Sequence, residues 1–251
     1  WEVEQEVAAD PNTLLADLGS DVGVAHLGAP VTGVTPMAVG SLGEADVGKR
    51  YSVLGYGIQN NFEDKGTRKA GSLTLRGFGG NYADYAFGGL EAFLKAAKNM
   101  PAFEGLNDEM LTMIYGELDL LPEYQAFLGG RTGDAQPCFG DSGGPLVGMQ
   151  GGVRTVYGNV TSGFGSNRLL CDFGGVFAMF GPAARAFLQN ALAWVDPCAG
   201  VSVKGRCEGD LAVRCTTRAE GTRRISETDC GLLGQTCGLD STGTVACVDP
   251  E

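Results

Sequence analysis

The placement of cysteines sets the firmest limit on what this chain can fold into. The sequence has 251 residues and 8 cysteines. None precedes Cys138; Cys171 follows it, and all the others lie between Cys198 and Cys247. A segment of about fifty residues buries too little apolar surface to be stable on packing alone. Its cysteines therefore read as a disulfide framework. Zinc is the competing reading, but the spacings contain no Cys-x-x-Cys pair and no histidine lies near them. Several pairings are open, and the sequence does not choose among them. Disulfides persist outside the reducing cytosol, so a secreted or extracytoplasmic location is expected. The tail reads as a targeting or surface-binding module, or as a spacer. No metal and no cofactor is expected.

Composition narrows the rest. The length suits one large domain or two, and a hydrophobic share of 43% suits a globular chain. No run approaches the roughly 18 apolar residues of a membrane span. A formal charge of −12 argues against nucleic acid and anionic membranes as partners, because like charges repel. The 41 glycines suit a loop-rich β protein. Residues 21–27, 51–57 and 70–76 read as strands, and Gln59–Gly66 as an exposed loop. Residues 1–16 form an acidic lead-in without the apolar core of a signal peptide. Apolar residues at 90, 93, 94 and 97 predict a helix over Leu90–Lys98, ended by Pro101. Asn107 is placed to cap a second helix over Asp108–Tyr115, and Pro122–Leu128 reads as a third helical turn. Pro182 opens a helix whose Phe187, Leu188, Ala191, Leu192 and Val195 share one face; Asp196-Pro197 ends it.

The chemistry sits in Gly140-Asp141-Ser142-Gly143-Gly144-Pro145. Glycines allow a sharp turn and bring backbone N–H groups close to a substrate carbonyl. The plain alternative is a Gly-rich turn with an Asp for local hydrogen bonding.

This stretch resembles the serine loop of trypsin/chymotrypsin-like proteases, which implies the role of nucleophile for Ser142 and of oxyanion hole for the N–H groups of Gly140 and Ser142. The resemblance extends over about residues 17–80 and 134–195. Asp21-Val-Gly-Val-Ala-His-Leu27 with Pro30-Val31 resembles the segment that carries the triad acid, which implies that role for Asp21. Tyr51-Ser-Val-Leu-Gly-Tyr-Gly57 is similar to the strand ending in Gly-Trp-Gly. Thr161-Ser162-Gly163-Phe164-Gly165 resembles the strand that lines the specificity pocket, and Gly174–Phe177 the strand that closes it. The resemblance implies a Cys138–Cys171 disulfide and a pocket built from Gln136 at its floor, Phe139, Ser162, Gly163, Gly165 and Gly175. A neutral floor at Gln136 implies a preference for neutral over Lys or Arg side chains, although Asp172 is placed to reach the pocket from another wall. Asp141 takes the position of the acid that pairs with a new N-terminal amine on zymogen cleavage. The implied fold is mostly β. It is the second barrel of a trypsin-like double β-barrel plus part of the first, over residues 1–195, with a helical insertion at 81–130 and a disulfide-rich module at 196–251. The insertion is either a decoration or a lid near the cleft.

The family's histidine segment has no counterpart. His26 is the sole histidine, five residues after Asp21 on the same expected strand. Residues i and i+5 of a strand point to opposite faces, so His26 is poorly placed to join Asp21 and Ser142. The expectation is a serine endopeptidase acting on proteins or peptides, present as the C-terminal chain of a two-chain enzyme. An N-terminal fragment, cut before Trp1 but still bound, would carry the catalytic histidine. The alternative is a non-catalytic, protease-like binding protein.

Overall fold

Alternation of inward and outward side chains builds the main sheet. In β4 (Arg50–Gly55), Tyr51 and Val53 are buried while Arg50 and Ser52 are exposed, the pattern of a strand with one face on a core. The computed structural model describes residues 3–8, 21–27, 31–58, 66–164, 171–193, 197–217 and 223–250. Its other elements, in chain order, begin with β1 (Val3–Ala8), β2 (Gly23–Leu27) and β3 (Ala38–Val39). After β4 come β5 (Lys69–Gly77), α1 (Tyr82–Phe87), α2 (Leu90–Ala97), α3 (Asp108–Gly116) and β6 (Gln125–Leu128). Then follow β7 (Pro145–Gln150), β8 (Val153–Gly163), β9 (Gly175–Met179) and α4 (Pro182–Leu192). The tail holds β10 (Arg206–Glu208), β11 (Leu211–Thr217), β12 (Arg223–Asp229), β13 (Thr236–Leu239) and β14 (Val245–Val248).

The described residues divide into two compact units. One holds Thr35–Gln189 with the described part of 8–23; the other holds the described parts of 1–7, 24–34 and 190–251. In the first, strands pair in the order β8-β7-β4-β5-β6-β9, and β9 pairs back to β8. The strands thus close into a six-stranded antiparallel barrel, which removes the free edges of an open sheet. Strand β3 adds to β8 in parallel. Leu73, Leu75, Leu128, Leu146 and Phe177 fill the interior, each with no exposed surface. Tyr51 and Tyr157 meet edge-on at 5.6 Å, and burial pushes the Tyr51 phenol up to about 12.

The segment Pro122–Leu128 corrects the sequence expectation. Its second half is not a helical turn but β6, paired with β5 on one side and β9 on the other. All four residues of β6 are buried. Ala126 and Leu128 face the barrel core, while Phe127 packs outward with Leu120 and Val176. A strand buried on both faces loses its alternation, and its short apolar run reads equally well as helix. The inserted helices are therefore α1–α3, ending before residue 125 rather than at 130. The expected helices α2 and α3 are present, with Asn107 Oδ1 accepting from the Met110 N–H at 2.9 Å. Helix α1 was not anticipated; Asn81 caps it by accepting from the Ala83 N–H at 2.8 Å. Phe93, Ala97, Leu111 and Ala83 form the helical core. Burial raises the Tyr82 phenol beside it to about 12. Helix α4 seats Ala184 against Val22 and Ala178; Trp194 and Val195 lie outside the described residues.

In the second unit, β10-β11-β12 and β13-β14 form two small antiparallel sheets. Cys198–Cys215, Cys207–Cys237 and Cys230–Cys247 tie them, with Cα–Cα distances of 5.6, 5.8 and 5.1 Å. Cys198 and Cys215 are themselves core residues with Val201 and Val213, so the cross-links occupy the space a larger domain fills with side chains. Strands β1 and β2 pair with each other, which gives Val3–Ala8 a structure the acidic lead-in did not suggest.

One polar bracket holds the loop that enters the serine region. The Asp134 carboxylate is fully buried and accepts from Arg50 Nη1 at 2.8 Å and Thr74 Oγ1 at 2.9 Å. Arg50 also donates to the carbonyls of Ser72 and Gly133, each at 3.0 Å. Asp134→Ala removes the carboxylate acceptor of Arg50 Nη1 and Thr74 Oγ1 and leaves the two carbonyl bonds of Arg50 in place. It is expected to lower stability by about 2–3 kcal/mol in urea unfolding, since Arg50 remains half-exposed and part of the loss is screened. A change below about 0.5 kcal/mol would show that the bracket is dispensable.

Candidate functional site

The loop from Cys138 to Gly144 is fastened almost wholly through backbone. The Asp141 N–H donates to the Cys138 carbonyl at 2.9 Å, and the Gly144 N–H to the Asp141 carbonyl at 2.8 Å. The Gly143 N–H reaches the Val160 carbonyl at 2.8 Å, and the Val160 N–H returns to the Gly144 carbonyl at 2.9 Å. The Ile58 N–H donates to the Phe139 carbonyl at 3.0 Å. The Asp141 carboxylate closes the turn: Oδ1 accepts from the Gly57 N–H at 2.8 Å and Oδ2 from the Cys138 N–H at 2.9 Å. Backbone donors of this chain thus occupy both oxygens of the acid that the sequence reading pairs with an N-terminal amine.

Two features of sequence make this geometry attainable. Gly140 has φ +93°, the left-handed region that side chains disfavour. At Gly55 a Cβ would overlap the Asp141 carboxylate itself, so the carboxylate lies flat on backbone that only glycine leaves bare. Ser142 is then exposed at the tip of the turn. Among the described residues, neither the N–H of Gly140 nor that of Ser142 donates to any partner, and the Ser142 hydroxyl makes no hydrogen bond. Two backbone donors flanking an exposed hydroxyl can stabilise a developing oxyanion.

Two concavities adjoin Ser142. A cavity of about 170 Å³ is lined by Ser142, Phe139, Ser162, Gly163 and the Cys138–Cys171 disulfide, with Pro137, Val160 and Thr161. Among the described residues, no charged side chain contributes to this lining. Its size is below that of a pocket for a drug-sized ligand and suits one side chain. An irregularity in the β8–β9 register between Val160 and Ser162 aims this wall. The second, shallower depression of about 500 Å³ is bordered by Ser142, Asp21, Gly23, Asn159 and Phe180. Asp21 has φ +42°, a conformation that Asp tolerates better than most residues, and its carbonyl accepts from Asn159 Nδ2 at 3.4 Å.

The structure thus brings together Ser142, Gly140, Phe139, Ser162 and Gly163, and sets Asp21 on the other side of Ser142. Gln136 lies elsewhere. Its Oε1 accepts from the Gly174 N–H at 2.7 Å, and it is not among the residues lining the 170 Å³ cavity. Gly175 likewise pairs with Gly163 behind that wall, and a Cβ there would meet the Ser162 carbonyl at 2.9 Å. Asp172 is exposed and borders a separate cavity with Gln136, Lys69 and Asp141. Gly165 and the His26 side chain lie outside what the structure describes. Val160 and Asn159 were missed from sequence. Val160 acts through its backbone, which leaves no signature in residue type. Among the described residues, no group of His, Cys, Asp or Glu is arranged to hold a metal. No protein-family model and no curated protein matches the chain.

Gly55→Ala tests the loop. The added methyl displaces the Asp141 carboxylate, with an expected loss of about 1–3 kcal/mol in thermal or urea unfolding. Wild-type stability in this variant would mean that the carboxylate does not lie on Gly55.

Proposed function

We propose that the protein is a secreted serine endopeptidase of the trypsin/chymotrypsin type, with Ser142 as nucleophile and the N–H groups of Gly140 and Ser142 as oxyanion hole. The observation that carries this reading is the serine loop: an exposed hydroxyl beside two unpaired N–H groups, on a turn held by Asp141. In this reading Ser142 Oγ attacks the scissile carbonyl carbon while a histidine takes its proton. The tetrahedral oxyanion is held by the two N–H groups, the amine leaves with the proton, and water hydrolyses the acyl-enzyme. Asp21 orients the histidine. The depression between Asp21 and Ser142 supports this division of labour, since it has room for a side chain and, among the described residues, its lining contains no basic group. In this reading the closed barrel is the second of two, and the histidine comes from outside it. The four disulfides support a secreted protein.

The substrate in this reading carries a neutral side chain before the cut. A cation in the 170 Å³ cavity would meet no charge partner among the described residues of its lining, at a desolvation cost of several kcal/mol. The lack of a basic group among the described residues of the depression between Asp21 and Ser142 also favours a second reading, a non-catalytic binding protein.

In a preparation that contains the histidine-bearing chain, a fluorophosphonate is expected to label Ser142 alone, and Ser142→Ala to abolish labelling and peptide cleavage. Cleavage retained by that variant would refute the nucleophile; no labelling in any preparation would favour the binding protein. A peptide library is expected to show neutral residues preferred over Lys and Arg by about tenfold or more, or 1.4 kcal/mol. A Lys or Arg preference would point to Asp172.

A further inference from the structure

Both sides of the 170 Å³ cavity are tied to the inserted helices by aromatic rings. On one side, Ser162 and Gly163 line the cavity, and the next residue, Phe164, turns away and is 8% exposed. Its ring lies 4.8 Å from Phe87, 5.3 Å from Tyr82 and 6.4 Å from Phe93. On the other side, Cys171 lines the cavity, and Phe173, two residues on, lies 4.7 Å from Phe87. Phe87 is the last residue of α1 and touches both rings. It also packs edge-on to Phe93 of α2 at 5.6 Å, which links it to the helical core. Neither Phe87 nor any other residue of α1–α3 lines either concavity at Ser142.

We propose that the inserted helices are a positioning element of the cleft, in which Phe87 clamps Phe164 and Phe173 and so sets the spacing between the Ser162–Gly163 wall and the Cys171 wall. The proposal rests on Ser142 being the nucleophile and on the cavity receiving a substrate side chain. Phe87 acts only through the two rings it holds. The serine loop is held chiefly by its own bonds through Asp141, Gly57 and Val160, and the Cys138–Cys171 disulfide is its covalent link to the Cys171 wall. Loss of the clamp therefore loosens the substrate wall and leaves the nucleophile and its N–H donors in place.

The test uses the assembled enzyme with Phe87→Ala, and with Phe87→Leu as a variant that keeps apolar bulk should the first fail to fold. A small fluorophosphonate reads the serine loop, a peptide that fills the cavity reads the wall, and hydrogen exchange reads the backbone of 162–164 and 171–175. The expected result for Phe87→Ala is labelling of Ser142 within about twofold of wild type, and KM for the peptide raised about tenfold with a smaller change in kcat. Phe87→Leu should fall between the two. Exchange should rise in 162–164 and 171–175 but not in β4 and β5. Met113→Ala, on an exposed part of α3, should change none of these. Unchanged KM and exchange with normal labelling would overturn the proposal alone. So would a parallel loss of labelling and peptide turnover, which would mark Phe87 as merely structural. Failure of the unmutated enzyme to label at Ser142 would overturn the reading beneath it, and the proposal with it.

Discussion

The Asp141 carboxylate joins two backbone segments 84 residues apart in sequence, and the geometry of the candidate site depends on that junction. One oxygen holds Gly57 and the other holds Cys138. Between Cys138 and Asp141 the chain has few ways to run, and Gly140 takes the left-handed conformation that the turn requires. The cost of ordering a carboxylate and a turn is offset by charge-assisted hydrogen bonds to backbone, which are stronger than neutral ones. Ser142 is thereby presented on an exposed turn, and neither its N–H nor that of Gly140 has a hydrogen-bond partner among the described residues. If these two N–H groups form the proposed oxyanion hole, it is assembled before substrate arrives and needs no reorganisation at the moment of reaction.

A second constraint is the burial of β6 and β9 on both faces. Inward they complete the barrel; outward, Phe127 and Val176 meet Tyr82, Tyr85 and Ala86 of α1. The inserted helices therefore complete the packing of two barrel strands and, through Phe164 and Phe173, reach the segments that border Ser142. Rigid packing of this kind transmits displacement, because a close-packed interior has few voids to absorb it. The disulfide unit follows a different rule. Its cores are small, and paired cysteines supply cohesion that apolar area cannot.

How much of this was legible in the sequence varied with the kind of signal. Strands β4 and β5 alternate, and helices α2 and α3 carry apolar spacing and an Asn cap, so their positions follow from local pattern. The pairing of Cys138 with Cys171 followed from family resemblance, whereas the three tail pairings follow only from tertiary structure. Strand β6 was misread because a strand covered on both faces has no period. Gln136 was placed by position in a motif; its amide oxygen accepts from the Gly174 N–H, a contact that nothing in the residue type announces. The backbone bonds of Val160 and the clamp at Phe87 depend on segments far apart in the chain, and single-sequence periodicity carries no information about such contacts.

The central claim is that the serine loop is a preformed oxyanion hole. A crystal structure of the assembled enzyme carrying a phosphonate adduct tests it most directly. The account predicts the phosphorus bonded to Ser142 Oγ and one phosphonyl oxygen accepting from the N–H groups of Gly140 and Ser142, at about 2.7–3.1 Å. The Asp141 carboxylate should still lie on Gly55 and Gly57. An adduct on another residue, or a Gly140 N–H turned away from the phosphonyl oxygen, would contradict it.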